Sequence, residues 1–128
     1  MGNGTEIGKV RGLGPAHHGS HHWMLQRFTA IGNIVLGLFL ALGLALLPNY
    51  DFATVRDWLA QPIPSAALAI WIVDVFWHAR HGLQILVDDY VHERGNHLAV
   101  TIALNILAVG GAGFALFSIL RIALSGAA

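Results

Sequence analysis

A chain of 128 residues that is 55% hydrophobic and only 11% charged cannot cover a water-facing surface, since globular domains carry about 25% charged residues. Its seven basic and seven acidic side chains cancel formally, and membrane lipid rather than nucleic acid is the expected environment. Cysteine is absent, which excludes disulfides, cysteine-ligated iron–sulfur clusters and covalent haem attachment through a C-x-x-C-H sequence.

Residues 1–21 read as a polar tail, and the order of charges argues against a cleavable signal peptide. Lys9 and Arg11 resemble a basic leader, but polar residues continue to Arg27 and the apolar run that follows is too long for an h-region. Gly12-Leu13-Gly14 is too short for a dinucleotide fingerprint and follows no strand. The first span is predicted over about 22–47, because Phe28 to Leu47 is twenty residues without a formal charge, and about twenty helical residues cross a hydrocarbon core. Pro48-Asn49 ends it. The segment from Asn49 to Pro64 reads as a loop, with Trp58 suited to an interfacial position.

The second span is predicted over about 65–90. It is apolar but interrupted by Asp74, His78, Arg80 and His81, too few for a water-exposed helix. A short loop, Val91 to Asn96, is expected to turn at Gly95, and the third span to cover about 97–123, where Leu98 to Leu120 carries no charge over twenty-three residues. The expected fold class is all-α, a three-helix transmembrane bundle occupying 22–128. Lys9, Arg11, Arg27 and Arg94 on one side outnumber Arg56 and Arg121 on the other, so the positive-inside rule places the N-terminus in the cytoplasm. Glycines 32, 37 and 43 in the first span and 110, 111 and 113 in the third read either as close-packing positions or as ordinary membrane-helix composition.

The middle span carries the chemistry. At about 100° per residue, Asp74, Gly82, Ile85 and Asp89 all fall within about 40° of His78. One stripe therefore holds a histidine, carboxylates, and a glycine one turn beyond the histidine. Such a glycine leaves room for a flat macrocycle against the imidazole, as an axial haem ligand requires. The same spacing also fits a histidine that only hydrogen-bonds a neighbouring helix. Several ionisable groups inside one span favour function over accident, because each costs about 2.5–3.5 kcal/mol to insert. Asp74 has His78 one turn away as its nearest local partner, and a carboxylate on the free ring nitrogen would orient the imidazole. Arg80 points to the far side, toward another subunit, a lipid phosphate or a haem propionate. Tyr90 lies about 18 Å along the axis from His78, placed for an interfacial anchor or for a hydrogen bond to a quinone carbonyl. Near the first span, His17, His18, His21 and His22 suggest an interfacial polar patch or a metal site. Arg27 is a boundary cation suited to a propionate or phosphate.

Two segments carry a family resemblance. Gly19-x-His21-x5-Arg27-x-Thr29-Ala30, followed by His78-Ala79-x-x-Gly82-x6-Asp89-Tyr90-Val91, resembles the hydrophobic membrane anchor (the cytochrome b small subunit) of bacterial succinate dehydrogenase. Alphaproteobacterial members are the most similar, in the runs His78-Ala79-Arg80, Gly82-Leu83-Gln84 and Asp89-Tyr90-Val91-His92. The resemblance implies a second three-span protein as partner, the cytochrome b large subunit, with a b-type haem between the two. It implies that His78 is one axial ligand, at the position where Gly82 leaves room, and that the large subunit supplies the other. Tyr90 matches the tyrosine that hydrogen-bonds ubiquinone and Asp89 its neighbour in the quinone site. Arg27, with His21 more loosely, matches residues near the haem propionates and the quinone pocket. A flavoprotein subunit and an iron–sulfur subunit would perform succinate oxidation on the cytoplasmic face of the bacterial inner membrane. His81 stands where an apolar residue is commoner in the family, and Asn33 and Asp74 add polarity beyond its pattern.

The expected function is thus anchoring, haem ligation and part of a quinone site in succinate:ubiquinone oxidoreductase, with no succinate site on this chain. The alternatives are a fumarate reductase anchor, a haem-free structural anchor, and a small metal or proton transporter. The last lacks a second polar span to line a path.

Overall fold

A computed structural model describes residues 16–125, with side chains from 23 to 124. Among the described residues four helices follow in order: α1 (Ala16–Ala45), α2 (Phe52–Ala60), α3 (Pro62–Tyr90) and α4 (Arg94–Ser125). No strand occurs among the described residues. Among the described residues three helices are long and apolar enough to cross a membrane, over Trp23–Ala45, Pro62–Tyr90 and Arg94–Leu124. The chain is a multi-pass membrane protein.

The helix ends have local causes. α1 gives way to a turn before Pro48, because the ring of a proline disfavours helical backbone in the residue ahead of it. The connection read as a loop contains α2. Asp51 starts this short helix, its Oδ1 accepting the backbone N–H of Thr54 at 2.8 Å, a side-chain cap that replaces a missing helical partner. That bond, reinforced by the Thr54 hydroxyl, holds the Asp51 carboxyl below its ordinary range. α3 begins with Pro62 in its first turn, where the absent N–H costs nothing. With 29 residues, α3 is roughly 43 Å long at 1.5 Å per residue, so its ends pass beyond the hydrocarbon.

The turn between α3 and α4 does not depend on Gly95. No glycine among the described residues has a positive φ, and Gly95 lies inside the first turn of α4. Glu93 makes the turn instead. Its carboxylate accepts the N–H groups of Gly95 at 2.9 Å and Asn96 at 2.6 Å, which lowers its pKa. Gly95 matters by being small: a Cβ there would stand 3.2 Å from the Glu93 carboxylate.

α3 is the central helix and packs against both α1 and α4, while α2 lies against α3 and α4. The expected close approaches occur along α1. A Cβ on Gly32 would come within 2.7 Å of Asp74, on Gly37 within 3.4 Å of Trp71, and on Gly43 within 2.6 Å of Trp58. Trp58 is therefore half-buried against α1. In α4, Gly111 admits the ring of Phe76, whereas Gly110 and Gly113 face open space. Only Thr29, Leu40 and Pro64 are buried among the residues whose exposure is described. Phe28, Ile34, Val109 and Phe114 point outward, as side chains solvated by lipid or by another subunit do.

Candidate functional site

The site is built where α3 crosses α1. Thr29 is 6% exposed, the most enclosed polar side chain described, and its Oγ1 lies 2.9 Å from His78 Nδ1. The same oxygen lies 3.0 Å from the Leu25 carbonyl and 3.1 Å from that of Gln26, to which its hydroxyl donates. This back-bonding onto the preceding turn is the ordinary resting place of a threonine hydroxyl in an apolar helix. The other ring nitrogen, Nε2, is 3.5 Å from Gln26 Nε2. Gln26 and Thr29 are three apart and share one face of α1, so one turn of α1 addresses both sides of one imidazole.

Gly82 sits beside this contact. A Cβ added there would meet nothing within 4 Å except the Gln26 amide, at 3.7 Å. Within 4 Å of such a Cβ, Gly82 is thus met only by the end of one flexible side chain. The Gln26 Oε1 is buried without a hydrogen-bond partner, so the amide is poorly anchored there.

Asp74 does not take the role expected of it. Both nitrogens of His78 go to α1 rather than to Asp74. The carboxylate instead lies over Gly32, with Oδ2 buried and without a hydrogen bond. The reason is rotational: α1 packs on the side of α3 that carries both residues, and a hydroxyl on α1 reaches Nδ1 directly. His81 packs its ring edge-on against Trp77, centroids 5.2 Å apart. Arg80 finds a partner within the chain, its Nε donating to Asn105 Oδ1 on α4 at 2.7 Å.

The remaining expected residues are spread along the molecule. Arg27 is exposed, its guanidinium 4.8 Å from the centre of the Trp23 ring. Asp89 and Tyr90 close α3, with Tyr90 78% exposed beside an apolar groove walled by Leu86, Val87, Val100 and Leu104. His78, near the middle of α3, and Tyr90, at its end, are therefore separate places. Side chains at His17, His18, His21 and His22 lie outside the described residues. No group of three metal-binding side chains occurs among those described.

Sequence reasoning passed over Gln26 as a neighbour of His78, and quoted Thr29 without a role. It also passed over Asp88, which accepts from Gln84 at 2.7 Å and lies 2.9 Å from His97 Nε2. The signal available was the pair of polar residues at helical spacing in an otherwise apolar span.

The fold and site define a class: a three-span, all-helical membrane protein whose middle helix holds a histidine against the first. The chain matches the family model for the succinate dehydrogenase/fumarate reductase transmembrane subunit over residues 1–112. A succinate dehydrogenase hydrophobic membrane anchor subunit of Rickettsia bellii is 37% identical over 68% of this chain and 70% of its own. That of Rickettsia conorii is 33% identical over 78% and 82%, and the membrane anchor subunit of Reclinomonas americana 30% over 71% and 78%. No solved structure matches significantly. The chain belongs to the succinate dehydrogenase membrane anchor family.

Proposed function

We propose that this chain is the anchor subunit of a succinate:ubiquinone oxidoreductase in the bacterial inner membrane, with its N-terminus in the cytoplasm. In that role it contributes His78 as one axial ligand of a b-type haem shared with the cytochrome b large subunit. The flavoprotein and iron–sulfur subunits would dock on its cytoplasmic side. Family membership supports the anchor role, and the outward-facing apolar side chains support a partner beside it in the bilayer.

The observation that carries the haem reading is the His78–Gly82 surface. An axial ligand needs a bare imidazole nitrogen beside room for a flat ring. His78 Nε2 has one long contact, from the Gln26 amide, and a Cβ on Gly82 would meet only that same amide within 4 Å. The residues fit the group: displacing one glutamine side chain exposes both the ligand atom and the cradle. When bound, a haem held by His78 on this side and by the partner subunit on the other would supply one-electron transfer. Arg27, with His21, supplies cationic or hydrogen-bonding partners for propionates.

Tyr90, Asp89 and Arg27 would form this chain's part of the quinone site. The Tyr90 hydroxyl donates a hydrogen bond to a quinone carbonyl, which draws electron density to that oxygen as the ring is reduced. The apolar groove beside it suits the hydrocarbon of the same molecule.

One observation favours a second reading. Both ring nitrogens of His78 already face partners on α1, which is also what a structural histidine in a haem-free anchor would show. A reduced-minus-oxidised optical spectrum of the purified complex separates the readings. Wild type should show low-spin b-type bands, His78→Leu should lose or shift them, and His81→Leu should retain them. Bands lost only in His81→Leu would move the ligand, and a wild-type complex without bands would leave the haem-free anchor.

A further inference from the structure

We propose that Thr29 is a positioning residue for His78, holding its ring in the tautomer that leaves Nε2 bare. The inference rests on the reading of His78 as a haem ligand and goes beyond it, to what sets the ligand's electronic character.

Counting donors gives one self-consistent direction for each bond. With the Gln26 amide nitrogen turned to the ring, that nitrogen can only donate, and in this arrangement His78 Nε2 is the acceptor and carries a lone pair. In a neutral imidazole the proton then sits on Nδ1. A threonine hydroxyl has one proton, and the Leu25 and Gln26 carbonyls, at 3.0 and 3.1 Å, can only accept it. Thr29 Oγ1 is thus left as an acceptor, and Nδ1–H donates to it at 2.9 Å. Both counts give the same chain: Nδ1–H to the Thr29 oxygen, and the Thr29 hydroxyl to the carbonyls one turn earlier. Thr29 is almost fully enclosed, and among the described residues its hydroxyl meets only these two carbonyls and His78 Nδ1.

The consequence is electronic as well as geometric. A hydrogen bond accepted from the remote nitrogen of a ligand histidine makes its other nitrogen a stronger donor, which favours ferric over ferrous iron. Loss of the Thr29 hydroxyl should therefore raise the haem midpoint potential. A merely structural threonine would leave that potential unchanged when replaced by an isostere.

The test is a redox titration of the haem, with low-temperature EPR of the ferric state, on the assembled complex. Wild type is compared with Thr29→Ser, which keeps the hydroxyl, Thr29→Cys, a weaker acceptor, and Thr29→Val, which keeps the shape alone. The expected order of midpoint potential is threonine equal to serine, then cysteine, then valine highest, with altered ferric g-values in valine. If Thr29→Val does not assemble, cysteine against serine carries the same comparison. Equal potentials and g-values across the series, at full haem content, would overturn the proposal. His78→Leu in the same preparation keeps the two readings apart. If its haem bands persist, the ligand assignment fails; if they vanish while the Thr29 series is flat, only the role of Thr29 fails.

Discussion

At the scale of single residues, small side chains decide how near the helices come. Gly43 faces the rigid edge of Trp58 at 2.6 Å and Gly111 the ring of Phe76 at 2.5 Å from a virtual Cβ, whereas Gly113 faces nothing within 4 Å. An aromatic ring cannot yield as a flexible side-chain tip can, so Gly43→Ala and Gly111→Ala should each cost about 1–3 kcal/mol, the usual range for overpacking. Gly113→Ala should be neutral within about 0.5 kcal/mol. Thermal unfolding of the complex in detergent checks this, and equal losses at all three positions would refute the packing account. Gly32 differs again, because what it meets is the end of the Asp74 side chain, which turns more readily than an aromatic ring. Composition flagged these glycines without separating them; only the side chain on the opposite helix tells Gly111 from Gly113.

At the scale of elements, polar contacts at helix ends and crossings hold apolar helices in register. Glu93 binds two N–H groups at the start of α4, and these bonds lower its carboxyl pKa. A depressed folded-state pKa stabilises the fold above the ordinary value of the group. That contribution fades as pH falls through the lowered value. Glu93→Gln should therefore lower the unfolding temperature at neutral pH, with the gap to wild type closing in acid below the usual glutamate range. A gap independent of pH would show that the carboxylate charge is not what caps the helix. Asp51 should behave alike at α2, since its pKa is lowered by the same kind of bond. At the α3–α4 crossing, Asn105→Leu removes the acceptor of the Arg80 Nε–H. Hydrogen bonds between membrane helices average about 0.6 kcal/mol and reach about 1.7 kcal/mol. The loss should fall toward the upper end, because the donor is charged, and stability of the variant measured beside Arg80→Leu and the double variant gives the coupling directly. Charge patterning located Arg80 on the far side of its helix, but three partners were open until α4 was seen to place Asn105 there.

At the scale of the whole molecule, the central position of α3 explains why one helix carries most of the polar residues. Packed between α1 and α4, it can satisfy His78 on one side and Arg80 on the other. Helices that touch lipid over most of their circumference have no such choice. So little is buried within the chain that α1 and α4 must find further cover in the bilayer. On the proposed function, that cover includes the cytochrome b large subunit and the second haem ligand. The chain expressed alone should accordingly show no low-spin b-type spectrum, and co-expression with that partner should restore it. A full spectrum from the isolated chain would place both ligands here and displace the shared-haem reading.

By itself the sequence determined what is local. Charge-free runs of sufficient length make spans, whatever lies beside them, because the cost of ionised groups in hydrocarbon acts residue by residue. The stripe of His78 and Gly82 follows from helical periodicity alone, and the motifs around Arg27, His78 and Tyr90 pointed to the family that the comparisons show. The tertiary structure alone decided which residues meet. That Thr29 and Gln26, rather than Asp74, take the two nitrogens of His78 depends on how α1 is rotated against α3. That α2 forms within a predicted loop and sets Trp58 on Gly43 depends on a surface for it to cover. Apolar spans are nearly alike all round, so their rotation is set by the few small and polar residues at each crossing. Those act in pairs, and neither member of a pair names its partner.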